Sequence, residues 1–112
     1  MVAKININNS NKLYKKALKI IPYGSQTYSK GVKAFSEGVS PKFLSHGKGC
    51  EVWDVDGNKF IDYVMANQPL ILGYADRDVN KAVEKQLSLG STFSVSNKLE
   101  IDVAELLVKH IP

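Results

Sequence analysis

Three aspartates fall close together in the run Trp53-Asp-Val-Asp-Gly-Asn-Lys-Phe-Ile-Asp-Tyr-Val64, and clustered carboxylates are natural candidates for acid and base work. Alternate strand positions share one face, which a hydrophobic partner must largely cover. Asp54, Asp56 and Asp62 therefore read as turn and strand-surface residues rather than as an acid–base pair. The same Asp-x-Asp-x-Asn string opens a calcium-loop pattern, but Lys59 stands where the sharp bend needs glycine and Met65 where a bidentate glutamate would close the site. Cys50 is the single cysteine, with no Cys or His at metal-ligand spacing, and is expected to be a small, half-buried strand residue. His110 falls in the apolar stripe of the last helix, near a C-terminus that favours a cation. None of these residues is expected to be catalytic or to bind a metal.

The net charge is +4, yet the excess is spread along the chain and Arg77 is the only arginine. Without arginine forks or basic residues interleaved with aromatics, a nucleic-acid surface is not expected. The sequence has no apolar run near the ~20 residues that span a bilayer, and its start, Met1-Val-Ala-Lys-Ile-Asn-Ile, carries no apolar leader. A cytoplasmic location and no membrane partner are the expectation.

The elements that would position any site follow from spacing. Ser10 is predicted to cap a helix whose face carries Leu13, Ala17, Ile20 and Ile21, with Lys12, Lys15, Lys16 and Lys19 elsewhere, and Pro22 stops it. Residues 23–41 show no sustained period and read as a long loop, a length that is usually functional or disordered; Tyr23, Tyr28 and Phe35 argue against a floppy linker. Phe43-Leu44 begins strand territory that passes through Gly47 and Gly49 into a hairpin. With Asp56-Gly57 as a two-residue turn, Trp53 would face Phe60 and Asp54 would face Lys59. Pro69 and Gly73 break the strand, and Asp76 precedes a helix with Val79, Ala82, Val83 and Leu87 on one face and Gly90 at its end. Asn97 and Glu100 have the spacing of a reciprocal cap. They open a last helix with Leu99, Val103, Leu106, Leu107 and His110 in one stripe, ending at Pro112. The class is α+β: an N-terminal helix and loop over 1–40, a small antiparallel sheet over 41–75 with a hairpin at 50–64, and two helices over 76–112.

The hairpin run, followed by Pro69-Leu-Ile-Leu-Gly73 and a helix containing Ala82-Val83, resembles the N-terminal region of class III aminotransferases, in particular the glutamate-1-semialdehyde aminomutase branch. The likeness extends to Ile21-Pro22 and Gly24, Gly47-Lys48-Gly49, Gly90-Ser-Thr-Phe93, Leu99-Glu100 and Val103-Ala-Glu-Leu106, and so covers about residues 12–112. It implies the fold type I architecture, pyridoxal 5′-phosphate (PLP) as cofactor and a homodimer when full length. The small sheet would belong to the small domain, and the two helices would lead into the cofactor domain. The Schiff-base lysine, the acid at the pyridine nitrogen and the phosphate loop would all lie beyond Pro112.

The resemblance also implies substrate contacts. In the aminomutases the loop after the first helix supplies a serine and an arginine. Here it reads Gln26-Thr-Tyr-Ser-Lys30 and continues to Lys33. Aligned from the helix end, Thr27 takes the serine position and Lys30 the arginine position; aligned from Ala34-Phe35, Lys33 takes the latter. A lysine lacks the planar fork that grips a carboxylate. Asn67 and Gln68 replace the usual aromatic residue and glycine before Pro69, which implies a more polar pocket, such as a substrate bearing hydroxyls would fit. The expected function is the N-terminal portion of an aminotransferase or aminomutase that moves an amino group to or within a small carbonyl substrate. The segment alone is expected to be inactive and, with its last two helical stripes uncovered, to self-associate. The alternative is a standalone interaction module that docks onto a partner chain carrying the remainder.

Overall fold

The computed structural model describes residues 5–111. Residues 1–4, used above for the start of the chain, and Pro112, used as the end of the last helix, lie outside the described residues. The chain divides into two compact units, Met1–Asp76 and Arg77–Pro112.

In the first unit, helix α1 spans Asn8–Ile20. It starts two residues before the expected cap, and Ser10 lies inside it, buried on the inward face. The capping group comes instead from the hairpin: Asn9 N–H donates to Asp56 Oδ1 at 2.6 Å and Ser10 N–H to Asp56 Oδ2 at 2.8 Å. Asn8 N–H reaches Asn6 Oδ1, and Asn11 N–H reaches the Ile7 carbonyl. The first-turn donors that a helix leaves unpaired are thereby satisfied, two of them by a residue remote in sequence. Ala17 is buried, but Ile20 is 67% exposed and falls off the inward face, because its position in the turn points it away.

The loop after α1 is not featureless. It contains three single 3₁₀ turns, Pro22–Gly24, Tyr28–Lys30 and Val32–Ala34. Gly24, buried and at φ 73°, lies where a Cβ would sit 3.0 Å from the Tyr14 ring, so the loop leaves the helix pressed against it. Tyr23 and Tyr28 meet edge to face at 6.4 Å.

Strands β1 (Leu44–Lys48), β2 (Glu51–Asp54) and β3 (Lys59–Ile61) form an antiparallel sheet in the order β1-β2-β3. The first strand starts one residue later than Phe43 and runs through Gly47, with a bulge at Ser45 whose hydroxyl donates to the Trp53 and Asp54 carbonyls. Cys50 is exposed in the β1–β2 turn, since the strand resumes only at Glu51.

The hairpin register differs from the expected one by a residue. Trp53 pairs with Lys59 and Val52 with Phe60. The loop is Val55-Asp56-Gly57, with Gly57 at φ 82°, the three-residue form in which a left-handed glycine makes the bulge. Asp54 explains the choice: its Oδ1 accepts the N–H groups of Asp56 and Asn58 at 2.9 and 2.8 Å, which fits the longer loop. Trp53 stacks on His46 at 4.7 Å rather than on Phe60, and Lys59 pairs with Glu51 at 2.8 Å rather than with Asp54. Asp54, expected at the strand surface, is only 2% exposed; among the described residues it and Ser10 are the side chains buried most fully, and the buried apolar ones are Ala17 and Val52.

In the second unit, α2 (Arg77–Leu89) ends where Gly90, at φ 102°, accepts the chain reversal, and Gln86 Nε2 donates to the Gly90 carbonyl. Helix α3 (Lys98–His110) opens with the expected reciprocal cap: Leu99 N–H donates to Asn97 Oδ1 and Asn97 N–H to Glu100 Oε1. It ends at His110, two residues before Pro112. Neither helix has a buried residue; Val83, Leu87, Leu106 and Leu107 are each at least half exposed. Among the described residues no helix is long and apolar enough to cross a membrane.

Candidate functional site

The residues between β3 and α2 form a closed loop built on the sheet. Tyr74 anchors it: its N–H donates to the Gly49 carbonyl at 2.8 Å and its carbonyl accepts from Gly49 N–H at 2.9 Å. Its ring lies over Gly47, where a Cβ would fall 2.5 Å from the ring carbon Cγ, so only glycine leaves room. Gly73, at φ 86°, comes so near Gly49 that a Cβ would meet its carbonyl oxygen at 2.8 Å. Gly47 thus leaves room for the Tyr74 ring, Gly73 lets the chain lie against the Gly49 backbone, and Gly49, at φ 59°, supplies a left-handed conformation rather than space.

From that seat the phenol donates to Asp62 Oδ2 at 2.5 Å. The other oxygen, Oδ1, accepts the N–H groups of Val64 and Met65 at 2.8 and 3.2 Å. Burial opposes the charged form of Asp62, but the three donors outweigh it and hold its pKa below the usual aspartate value. The Tyr74 phenol is pushed up to about 12 by burial, by its bond to Asp62 and by the carboxylate charge.

What Asp62 supports is a left-handed turn. Met65, Ala66, Asn67 and Gln68 have φ of 46°, 52°, 63° and 81° in succession. Asn67 N–H donates to the Val64 carbonyl, and Gln68 N–H is shared between those of Val64 and Met65. Such a conformation costs an L-residue about 1–2 kcal/mol, less for asparagine, so a run of four without glycine must be held by its surroundings.

The sequence-derived substrate residues fall into two groups. Asn67 and Gln68 are exposed on the left-handed turn. Gln26, Thr27, Lys30 and Lys33 are exposed on the loop after α1, where the Thr27 carbonyl accepts from the Ser25 hydroxyl and from Lys30 N–H. Among the described residues no hydrogen bond or ion pair joins the two groups. Sequence reasoning missed Tyr74 altogether; the signal available was Gly47, where the ring leaves no room for a Cβ.

Coenzyme attachment requires a lysine whose ammonium is desolvated enough to deprotonate. Every described lysine is exposed except Lys42, which is half-buried, donates to Asn11 Oδ1 at 2.5 Å and lies 5.6 Å from the centre of the Tyr14 ring. The described residues therefore do not fit PLP. What they offer is a rigid small sheet with two exposed polar loops.

Residues 33–112 match the family model of class-III aminotransferases. Over 108 residues the chain is 41% identical to glutamate-1-semialdehyde 2,1-aminomutase 1 of Listeria monocytogenes serotype 4b, a likeness covering 96% of this chain and 24% of that one. The fold matches an omega-transaminase from Sphaerobacter thermophilus with a TM-score of 0.82 at 30% identity, over 96% of this chain and 25% of that one. It also matches a transaminase with PLP bound, with a TM-score of 0.81 at 27% identity, over 94% of this chain and 24% of that one. The chain thus spans about a quarter of the length of the curated relatives it matches. Residues 33–112, most of the chain, fit the family's model, and the chain belongs to the class-III aminotransferase family.

Proposed function

We propose that these residues are the N-terminal portion of a PLP-dependent aminotransferase or aminomutase that moves an amino group to or within a small carbonyl substrate. The likeness to an aminomutase along almost the whole chain carries this reading. The portion's contribution is substrate shape. Asn67 and Gln68 offer amide donors and acceptors, Gln26 and Thr27 add polar contacts, and Lys30 or Lys33 supplies a point charge in place of an arginine fork. That set favours a hydroxyl-bearing substrate over one recognised mainly through a carboxylate. The whole protein acts in the cytoplasm as a homodimer, and its coenzyme is held by residues other than the 112 in hand.

A chimera tests this. With the chain replacing the matching quarter of the Listeria monocytogenes relative, the expected product binds PLP and transfers an amino group from an amino donor to a small carbonyl acceptor. A soluble, PLP-loaded chimera that transfers no amino group would refute the reading. The 112-residue chain by itself is expected to be inactive and to form no borohydride-reducible PLP adduct at a defined lysine. A stoichiometric adduct at one position, or turnover, would contradict that expectation.

A further inference from the structure

We propose that Asp62 and Tyr74 are positioning residues: their hydrogen bond is the latch that holds Met65–Gln68 in its left-handed turn and so fixes the direction in which Asn67 and Gln68 present their amides. The second half, presentation to a substrate, rests on the function proposed above; the latch itself does not.

The connection runs without a gap from the sheet to the turn. Tyr74 is fixed by two backbone bonds to Gly49 and by its ring on Gly47. Its hydroxyl holds one oxygen of Asp62, and the other oxygen receives Val64 N–H and Met65 N–H, the donors at the entrance of the turn. Asp62 thus acts on a left-handed turn as an N-cap acts on a right-handed helix, supplying an acceptor where the backbone has none. Gln68 precedes Pro69, which disfavours the right-handed helical region for it and removes one way of relaxing. Of the four residues only Asn67 tolerates a positive φ with any ease. The turn therefore depends on its attachment: Asp62 is tied to the sheet by its N–H on the Cys50 carbonyl at 2.8 Å, and the phenol fixes where its carboxylate points.

Residue-resolved amide exchange on the coenzyme-free 112-residue chain is the test, so its outcome is independent of whether the whole protein transfers amino groups. Tyr74→Phe removes only the hydroxyl. Exchange at the Asn67 and Gln68 amides is expected to rise about tenfold or more, as loss of a bond to a charged acceptor implies, while the Asp54 amide of the hairpin stays as it was. Adding Gln68→Gly, which is at ease at φ 81°, is expected to restore most of the lost protection. Gln68→Gly alone, which disturbs none of the latch bonds, should slow exchange at Asn67. In Asp62→Asn, the carbon-13 titration of the Tyr74 ring should move from about 12 toward the ordinary tyrosine value of 10.0. Unchanged exchange in Tyr74→Phe, equal acceleration at Asp54, or no rescue by glycine would each overturn the latch.

Discussion

Replacing Asp54 by alanine removes a carboxylate that is only 2% exposed. Its two oxygens receive Asp56 N–H at 2.9 Å, Asn58 N–H at 2.8 Å and Asn58 Nδ2 at 2.7 Å. Bonds to a charged acceptor contribute about 1.5–3 kcal/mol each, and loss of the carboxylate also relieves its own desolvation, so a net cost of about 3 kcal/mol is expected. At a urea slope near 1.5–2 kcal/mol/M the unfolding midpoint should fall by about 1.5–2 M. The loss has a place as well as a size: the Asp56 and Asn58 amides should lose protection first, and with them the turn that brings Asp56 to α1. Asp54→Asn keeps the shape and one acceptor but turns an NH₂ group toward donors, so it should cost about half as much. A midpoint for Asp54→Ala within about 0.3 M of the parent, with both amides still protected, would refute the claim that this carboxylate sets the hairpin register.

Gly47→Ala places a methyl 2.5 Å from Cγ of the Tyr74 ring; a loss of about 2 kcal/mol in urea unfolding is expected, with the phenol titrating nearer its ordinary range. Asn97→Ala should cost α3 about 1 kcal/mol, seen as faster exchange at the Leu99 amide without change in the hairpin. Acid should destabilise through Asp56 and Asp62. Burial opposes the charged form of Asp56, but the Ser10 hydroxyl, the Ser10 and Asn9 amides and the Lys12 charge hold its pKa below 3.8. The hydroxyl completes no hydrogen bond of good geometry, so it acts by proximity. With both folded values lowered, the stabilisation is present above the unfolded value of about 3.9 and lost as pH falls through the folded ones. Melting temperature should hold steady from neutral pH to about 4.5 and then drop, and Asp56→Asn or Asp62→Asn should flatten the drop. At the alkaline end the Tyr74 shift has the opposite sign: stability should decline between the ordinary tyrosine value of 10.0 and about 12, and Tyr74→Phe should abolish that decline.

Elements with a strong local signal were readable from sequence. Asn97 and Glu100 are three residues apart and need only each other, so spacing revealed the cap, and Gly90 marked the end of α2 because a positive φ there needs no distant partner. Ser10 misled because the group that caps α1 lies across the hairpin, and nothing in the helix's own sequence points there. The hairpin register failed for a related reason: an Asp-Gly pair favours the two-residue turn, but the Asp54 side chain selects the longer one. Asp62 was visible as a carboxylate, whereas its work depends on Tyr74, twelve residues on, whose seat exists only once Gly47, Gly49 and Gly73 converge. The left-handed run at Met65–Gln68 left no mark, because none of the four is a glycine.

The capping of α1 by Asp56 bears on how the chain is made. The bonds from Asn9 and Ser10 close over sequence separations of 47 and 46 residues, so the start of the helix waits for a part of the polypeptide synthesised later. A nascent chain that has emerged only as far as Gly49 contains all of α1 but not the acceptor for its second and third amides. Asp56 follows Ser10 by 46 residues, so at about 5–20 residues per second roughly 2–9 s separate the addition of the helix start from that of its acceptor. During that interval the first turn is free to fray, and it becomes fixed only when the hairpin leaves the ribosome and folds back upon it.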